Sequence, residues 1–293
     1  MLTKKLLIGL LLLLSSLNPL ALWGQELLPA VRKSIGKASH PALNELSGII
    51  PSGRYPGKYW VHNDSGDEAR VFLIDSLAKL NHEFRLAGVQ ARDVEDIAWV
   101  KKDGKNYIVL ADIGDNQAKR KDISLYVFEE PVLRRKLDTI PAAAIRSIRL
   151  QYPDKARDAE AIFVDPVDQQ FYLISKRDFR STLYTAAIFQ AAKASFRLQK
   201  VLELPFTFIT AADIAADGSG ILMKNLTQVY YWPRLAQEPL RSVLNKPYFK
   251  IAYSVEPQGE AIAFDRTDSS FVTISERPFG LDAYLYQYKF TKP

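Results

Sequence analysis

The 293-residue chain contains no cysteine and only three histidines, His40, His62 and His82. Disulfides, thiolate nucleophiles and cysteine-bound zinc are therefore excluded, and the histidines stand at no spacing that suits a zinc site. No Gly-x-Ser-x-Gly elbow occurs, which removes the usual serine nucleophile of an α/β-hydrolase. Lysines and arginines form no block interleaved with aromatics, and the formal net charge is only +6, so no nucleic-acid partner is expected. A membrane span, which needs roughly 18 to 20 apolar residues, is not expected either, an uncleaved N-terminal anchor being the alternative. The one long apolar run, from Leu6 to Leu14, ends in Ser15, Ser16, Asn18 and Pro19.

That run follows Lys4 and Lys5 and precedes small or turn-forming residues at Ala21 and Gly24, the outline of a secretory signal peptide over residues 1–24. The expected product, residues 25–293, is a single domain, periplasmic or secreted, with no membrane attachment after cleavage. Residues 1–24 hold two lysines and no acid, so cleavage takes the charge from +6 to +4. Without disulfides the exported fold has to rest on its own core. An apolar fraction of 47% with 14 tyrosines and 15 phenylalanines suits a sheet-rich chain.

What the chain does have is a repeat. Leu46-Ser47-Gly48-Ile49-Ile50, Val94-Glu95-Asp96-Ile97-Ala98, Ala159-Glu160-Ala161-Ile162-Phe163, Ala211-Ala212-Asp213-Ile214-Ala215 and Gly259-Glu260-Ala261-Ile262-Ala263 are five versions of one opening motif. Ser47, Glu95 and Glu160 each precede the start of a second apolar run, at Tyr59, Tyr107 and Tyr172, by twelve residues, and Glu260 precedes Phe271 by eleven. A third run follows in every unit, giving a period of about fifty residues, a length typical of propellers and solenoids. Short strands with frequent turns and no helical period narrow the choice to sandwich, barrel or propeller, and an opening motif restated five times selects the propeller. The expected fold is an all-β, five-bladed β-propeller with four antiparallel strands per blade, or six blades if residues 130–150 or the N-terminal segment hide a degenerate one. Because the fifth unit has only three runs, residues near 27–36 are expected to supply its fourth strand.

The innermost strand of a blade starts near the axis, so the opening motifs bring Ser47, Glu95, Glu160, Ala212 and Glu260 into one ring. Two carboxylates about 6 Å apart at an effective dielectric near 20 repel by about 3 kcal/mol. Three glutamates must therefore protonate, spread apart or hold a cation. Carboxylates, a hydroxyl and a backbone carbonyl suit calcium, which makes these five residues the expected metal set. In the alternative reading the glutamates line a wet channel and pair with arginines such as Arg92 and Arg157.

A second column lies where each second run ends: Asp64, Asp112, Arg177, Asn225 and Glu276, with Lys176, Lys224 and Arg277 alongside. The loops carrying them share one face of a propeller, where binding groups are commonly placed. Beside a cation, Arg177, Lys224 and Arg277 would bind anionic oxygens, Asp64 would position or activate water, and Asp112, Asn225 and Glu276 would line the ligand site. Two functions fit: a calcium-dependent hydrolase of phosphorylated or other anionic small molecules, or a non-catalytic propeller that binds a peptide, glycan or protein with a structural ion. A monomer is expected in either case.

These motifs resemble those of the calcium-activated nucleotidases, the secreted apyrases. Glu45-Leu46-Ser47-Gly48 looks like their first such motif, Asn63-Asp64 like the acidic pair that assists their chemistry, and Glu95, Glu160 and Glu260 like their glutamates on a central calcium. The resemblance implies a five-bladed fold, a calcium cofactor and nucleotide hydrolysis. Phytase-like and esterase-like secreted propellers carry similar motifs. The chain departs from the nucleotidase pattern at Ala212, where that family has a serine, at Asn63, where it has an acid, and in lacking its long insertions.

Overall fold

The computed structural model describes residues 26–134, 137–189, 193–266 and 270–293; the expected signal peptide, 1–24, lies outside them. The strands form five sheets. Each blade starts with the strand that carries its opening motif: Leu46–Pro51, Val94–Lys102, Ala159–Val164, Ala211–Ile214 and Ala261–Phe264. A second, third and outer strand follow in antiparallel order, as in Lys58–Asn63, Arg70–Asp75 and Leu80–Leu86 of blade one. The result is a five-bladed propeller. Ala30–Ala38 pairs along Ala283–Phe290 and completes blade five, as the missing fourth run required.

Alternation along each strand explains how the blades pack. Successive side chains point to opposite faces, so in Lys58–Asn63 the buried Tyr59 and Val61 join the cluster shared with blade five, while Trp60 joins the cluster shared with blade two. Five apolar clusters result, one in each seam between neighbouring blades. First and second strands are buried on both faces and read as apolar runs. The outer strand Arg146–Gln151 buries only Ile148 and Leu150, and its sequence alternates accordingly.

The 130–150 stretch holds no sixth blade among its described residues. It contains Leu137–Ile140, which pairs parallel to the outer strand of blade one. Ser195–Arg197 does the same for blade two, and Leu27–Leu28 for blade four. In all three cases the added strand lies just upstream of the next blade's outer strand. Three blades thus have five strands rather than four, and their outer edges are covered, which removes a row of unpaired backbone groups.

Near the axis the blades are joined by polar contacts. Ser47 Oγ donates to the Glu95 carbonyl at 3.0 Å, linking blades one and two. Asp96 Oδ2 accepts the Ile162 N–H at 2.7 Å, and Asp213 Oδ2 accepts the Phe264 N–H at 2.7 Å. Arg266 of blade five donates to the carbonyls of Ser52 and Pro51 in blade one at 3.1 and 3.0 Å, and its guanidinium covers the Trp99 ring at 3.7 Å.

Closure between blades five and one depends on Gly36. A Cβ there would overlap the backbone carbonyl of Leu77 in the facing turn of blade one. Gly36→Ala is expected to force the seam apart at a cost of about 1–3 kcal/mol. A thermal melt should show the midpoint lowered by several degrees; an unchanged midpoint would contradict this close approach.

Candidate functional site at the channel mouth

A local irregularity aims the residues of the opening motifs. In blade one Leu46 pairs with Asn63 and Gly48 with His62, which leaves Ser47 outside the ladder. Glu95 is skipped between Val94 and Asp96, and Glu160 between Ala159 and Ala161, in the same way. Such a bulge leaves one residue unpaired and redirects its side chain. Glu260 sits just ahead of its strand, Ala261–Phe264. Ala212, by contrast, pairs regularly with Met223 and contributes no side-chain ligand.

The carboxylates do converge, and the chain itself supplies a cation among them. Lys176 Nζ forms an ion pair with Glu160 and lies 3.8 Å from Glu260, so it spans blades three and five across the axis. Burial opposes its charge, but the carboxylates of Glu160, Glu260 and Glu95 outweigh that and raise its pKa. One ammonium does not neutralise three acids. Burial, then the charges of Glu160, Asp64 and Asp93, hold the Glu95 carboxyl well above its ordinary range. Burial also pushes Glu160 up to about 8 against the pull of Lys176. Arg157, an expected partner of these glutamates, bridges Asp154 and Asp178 instead.

Above this pair lies a second acidic layer. Asp64 leaves the second strand of blade one, Asp93 precedes the first strand of blade two, and Glu276 follows the second strand of blade five. Asp64, Asp93 and Glu95 can each place an oxygen within 4.8 Å of the other two, and so can Asp64, Glu260 and Glu276. Asp64 belongs to both trios, and its buried Oδ1 has no hydrogen-bond partner among the described residues. Burial and then the neighbouring carboxylates push Asp64 up to about 6 and Glu276 up to about 7. Gly114 forms part of the wall, where a Cβ would overlap both Glu95 Oε1 and Asp93 Oδ2. A larger residue there would push at least one of these carboxyl ends aside.

The remaining expected site residues divide by what they touch. Asp112 is buried, accepts the Arg92 and Asp93 N–H groups at 3.2 Å each and pairs with Arg120 at 2.9 Å, so it fixes the loop that carries Asp93. Asn225 caps its own turn by accepting the Thr227 and Gln228 N–H groups. Lys224 is fully buried and donates to the Gly259 carbonyl beside Glu260. Burial lowers its pKa to about 8 despite Glu256 and Glu260. Arg177 is exposed on the rim and is held by Asp158 at 2.6 Å. Arg277, half-buried, has its Nε buried without a partner among the described residues.

The carboxyl groups close enough to share a hard cation therefore form two trios that meet at Asp64, one with Asp93 and Glu95 and one with Glu260 and Glu276, a set that overlaps the ring of opening-motif residues without coinciding with it. Glu95 and Glu260 are shared by both sets. Ser47 donates to a carbonyl, Glu160 is engaged by Lys176, and Ala212 lies in the ladder. Each trio offers carboxyl oxygens of the kind calcium accepts, and the shared member, Asp64, has an oxygen unpartnered among the described residues.

No family model matches the chain, and no curated protein does. Solved structures are similar in shape only. The PQQ-bound aldose sugar dehydrogenase of Streptomyces coelicolor aligns over 89% of this chain and 98% of its own, at 11% identity and a TM-score of 0.46. An auxiliary nutrient-binding protein from Bacteroides thetaiotaomicron VPI-5482 aligns over 90% and 77%, at 7% identity and a TM-score of 0.48. A chain of the nidogen/laminin complex aligns over 84% and 88%, at 9% identity and a TM-score of 0.47. At such values the likeness carries nothing about ligand or chemistry.

The raised carboxyls set a pH dependence. An acid whose folded pKa exceeds its unfolded one stabilises the fold fully below the unfolded value, and that stability is lost as pH rises to the folded value. For Asp64 and Glu276 the window runs from about pH 4, where the free carboxyls titrate, to about 6 and about 7 respectively. In metal-free buffer the melting temperature should fall across that window, and Asp64→Asn with Glu276→Gln should flatten the fall. A wild-type profile level from pH 4 to 7 would show that these acids do not crowd one another.

Proposed function

We propose that the channel mouth binds a calcium ion and, beside it, a phosphorylated or carboxylated small molecule, whose hydrolysis Asp64 assists. The observation that carries this reading is the meeting of two carboxylate trios at Asp64, with one of its oxygens buried and unpartnered among the described residues. Asp64 would hold the ion together with Asp93 and Glu95 or with Glu260 and Glu276. Calcium, when bound, supplies a Lewis acid and a template for anionic oxygens.

The protein's own groups have separate parts. Asp64 stands at the meeting of both trios with one oxygen unpartnered among the described residues, which places it to orient or deprotonate a water beside the ion. Arg277 and Arg177 bring positive charge to the rim for the ligand's oxygens. Lys176 pairs with Glu160 beneath the site and lies 3.8 Å from Glu260, which belongs to it. Lys224, sealed from solvent, acts on the backbone ahead of Glu260 and not on the ligand.

A second reading, binding without catalysis, is favoured by one feature of the same face: Phe179 and Phe279 are 96% and 104% exposed in loops of blades three and five. The two readings separate in one experiment. At calcium about a hundredfold above its dissociation constant, linkage predicts about 2.7 kcal/mol of stabilisation. A chain of this length should then melt roughly 5–10 °C higher. Asp64→Asn should weaken calcium binding at least tenfold by calorimetry, the loss of one charged ligand. Hydrolysis within a panel of phosphate esters and nucleotides, abolished in that variant, supports the enzyme. An intact panel with the thermal shift preserved supports the binding protein, and no calcium binding at all overturns both.

A further inference from the structure

At the opposite end of the propeller, where blades five and one close, lies a cavity of about 620 Å³. It is bounded by the outer strand of blade five at Lys33 and Ile35, the start of a blade-one strand at Lys58, the turn at Leu77, and Asp265 and Arg266 just past the first strand of blade five. Small-molecule sites commonly measure 300–1,000 Å³, with apolar walls and a few fixed polar groups. This cavity has that composition. Ile35, Leu77 and the ring of Tyr59 with two prolines make an apolar wall, and Leu77 leaves 52% of its surface to solvent.

The charged groups around it are unbalanced. Among the described residues that line it, Lys33, Lys58 and Arg266 outnumber the one acid, Asp265. Asp265 in turn accepts Gln287 Nε2 at 3.0 Å and Ser270 Oγ at 3.3 Å. The Arg266 guanidinium is set rigidly by the Trp99 ring and the carbonyls of Pro51 and Ser52, while Lys58 is steadied by Asn81. Lys58 is thus pre-positioned, so little ordering opposes its capture of an anion.

We propose that this seam cavity binds an amphipathic anion, an apolar body bearing one carboxylate or similar head. The apolar portion lies along Ile35, Leu77 and Tyr59, and the head is taken by Lys58 and Lys33. The site is independent of the channel mouth, because none of its lining residues belongs to either carboxylate trio.

Decanoate and decyltrimethylammonium, which share a tail and differ in the sign of the head, are the probes, used with the full folded chain in calorimetry. Decanoate should bind one per chain, and the cation at least tenfold more weakly, the difference a charge-assisted hydrogen bond makes. Leu77→Trp, which fills the cavity, and Lys33→Glu with Lys58→Glu should each abolish decanoate binding. Should either variant melt well below the wild type, Lys33→Glu alone, on an exposed strand position, should still weaken it. Asp64→Asn should leave it unchanged, which separates this site from the calcium reading. Equal binding of both probes, no decanoate binding, or decanoate affinity preserved in the correctly folded variants overturns the proposal.

Discussion

Convergence of like charge on one axis is the constraint around which this molecule is arranged. The first strands of blades one, two and three each slip by one residue where they begin to pair, and each slip turns a side chain out of its sheet toward the centre. Carboxylates brought together in that way cannot all ionise. The fold answers with Lys176 between Glu160 and Glu260 and with a Glu95 carboxyl held well above its ordinary pKa by burial and its neighbours. What is left over is an acidic layer at the mouth, and the proposed chemistry follows from that remainder.

A propeller must also hold its circumference. Inner contacts do so through side chains that reach across a seam to backbone groups, as Asp96 does to Ile162 and Arg266 to Pro51 and Ser52. Outer contacts do so through borrowed strands: the segment before one blade's outer strand pairs with the outer strand of the blade before it, at Leu137–Ile140, Ser195–Arg197 and Leu27–Leu28. An exposed edge is a liability for a sheet protein, so the added strand protects the edge while it ties two blades. In a chain without disulfides, these ties and the five apolar seams hold the ring closed.

Glu95 and Glu260 were legible because they recur at one place in the repeat, and Asp64 and Glu276 because they recur at another, a recurring position in a propeller being a recurring radius; Asp93 lies in neither column. Lys176 was harder to place. It stands one residue before Arg177 in the polar column, and spacing alone offered no reason to turn it inward while its neighbour faces solvent. Lys224 occupies the equivalent position in blade four and is also buried, so the pair of lysines was the available signal. Asp112 and Asn225, polar at the right count, serve their own loops, since a loop end needs capping whether or not it binds anything.

By itself the amino-acid order determined the propeller class, the closing role of the N-terminal strand and the gathering of Glu95, Glu160 and Glu260, because all three follow from periodicity, while five blades rather than six was settled by how Leu137–Ile140 pairs. Periodicity describes what each unit has in common. Only the tertiary structure decided which charge lies against which: that Lys176 meets Glu160 and Glu260, that Asp64 joins two trios, and that Arg266 closes the far seam against Trp99. Those pairings join residues of different blades, and their distances are set by how the sheets pack around the axis, a property of the closed ring that no single repeat contains.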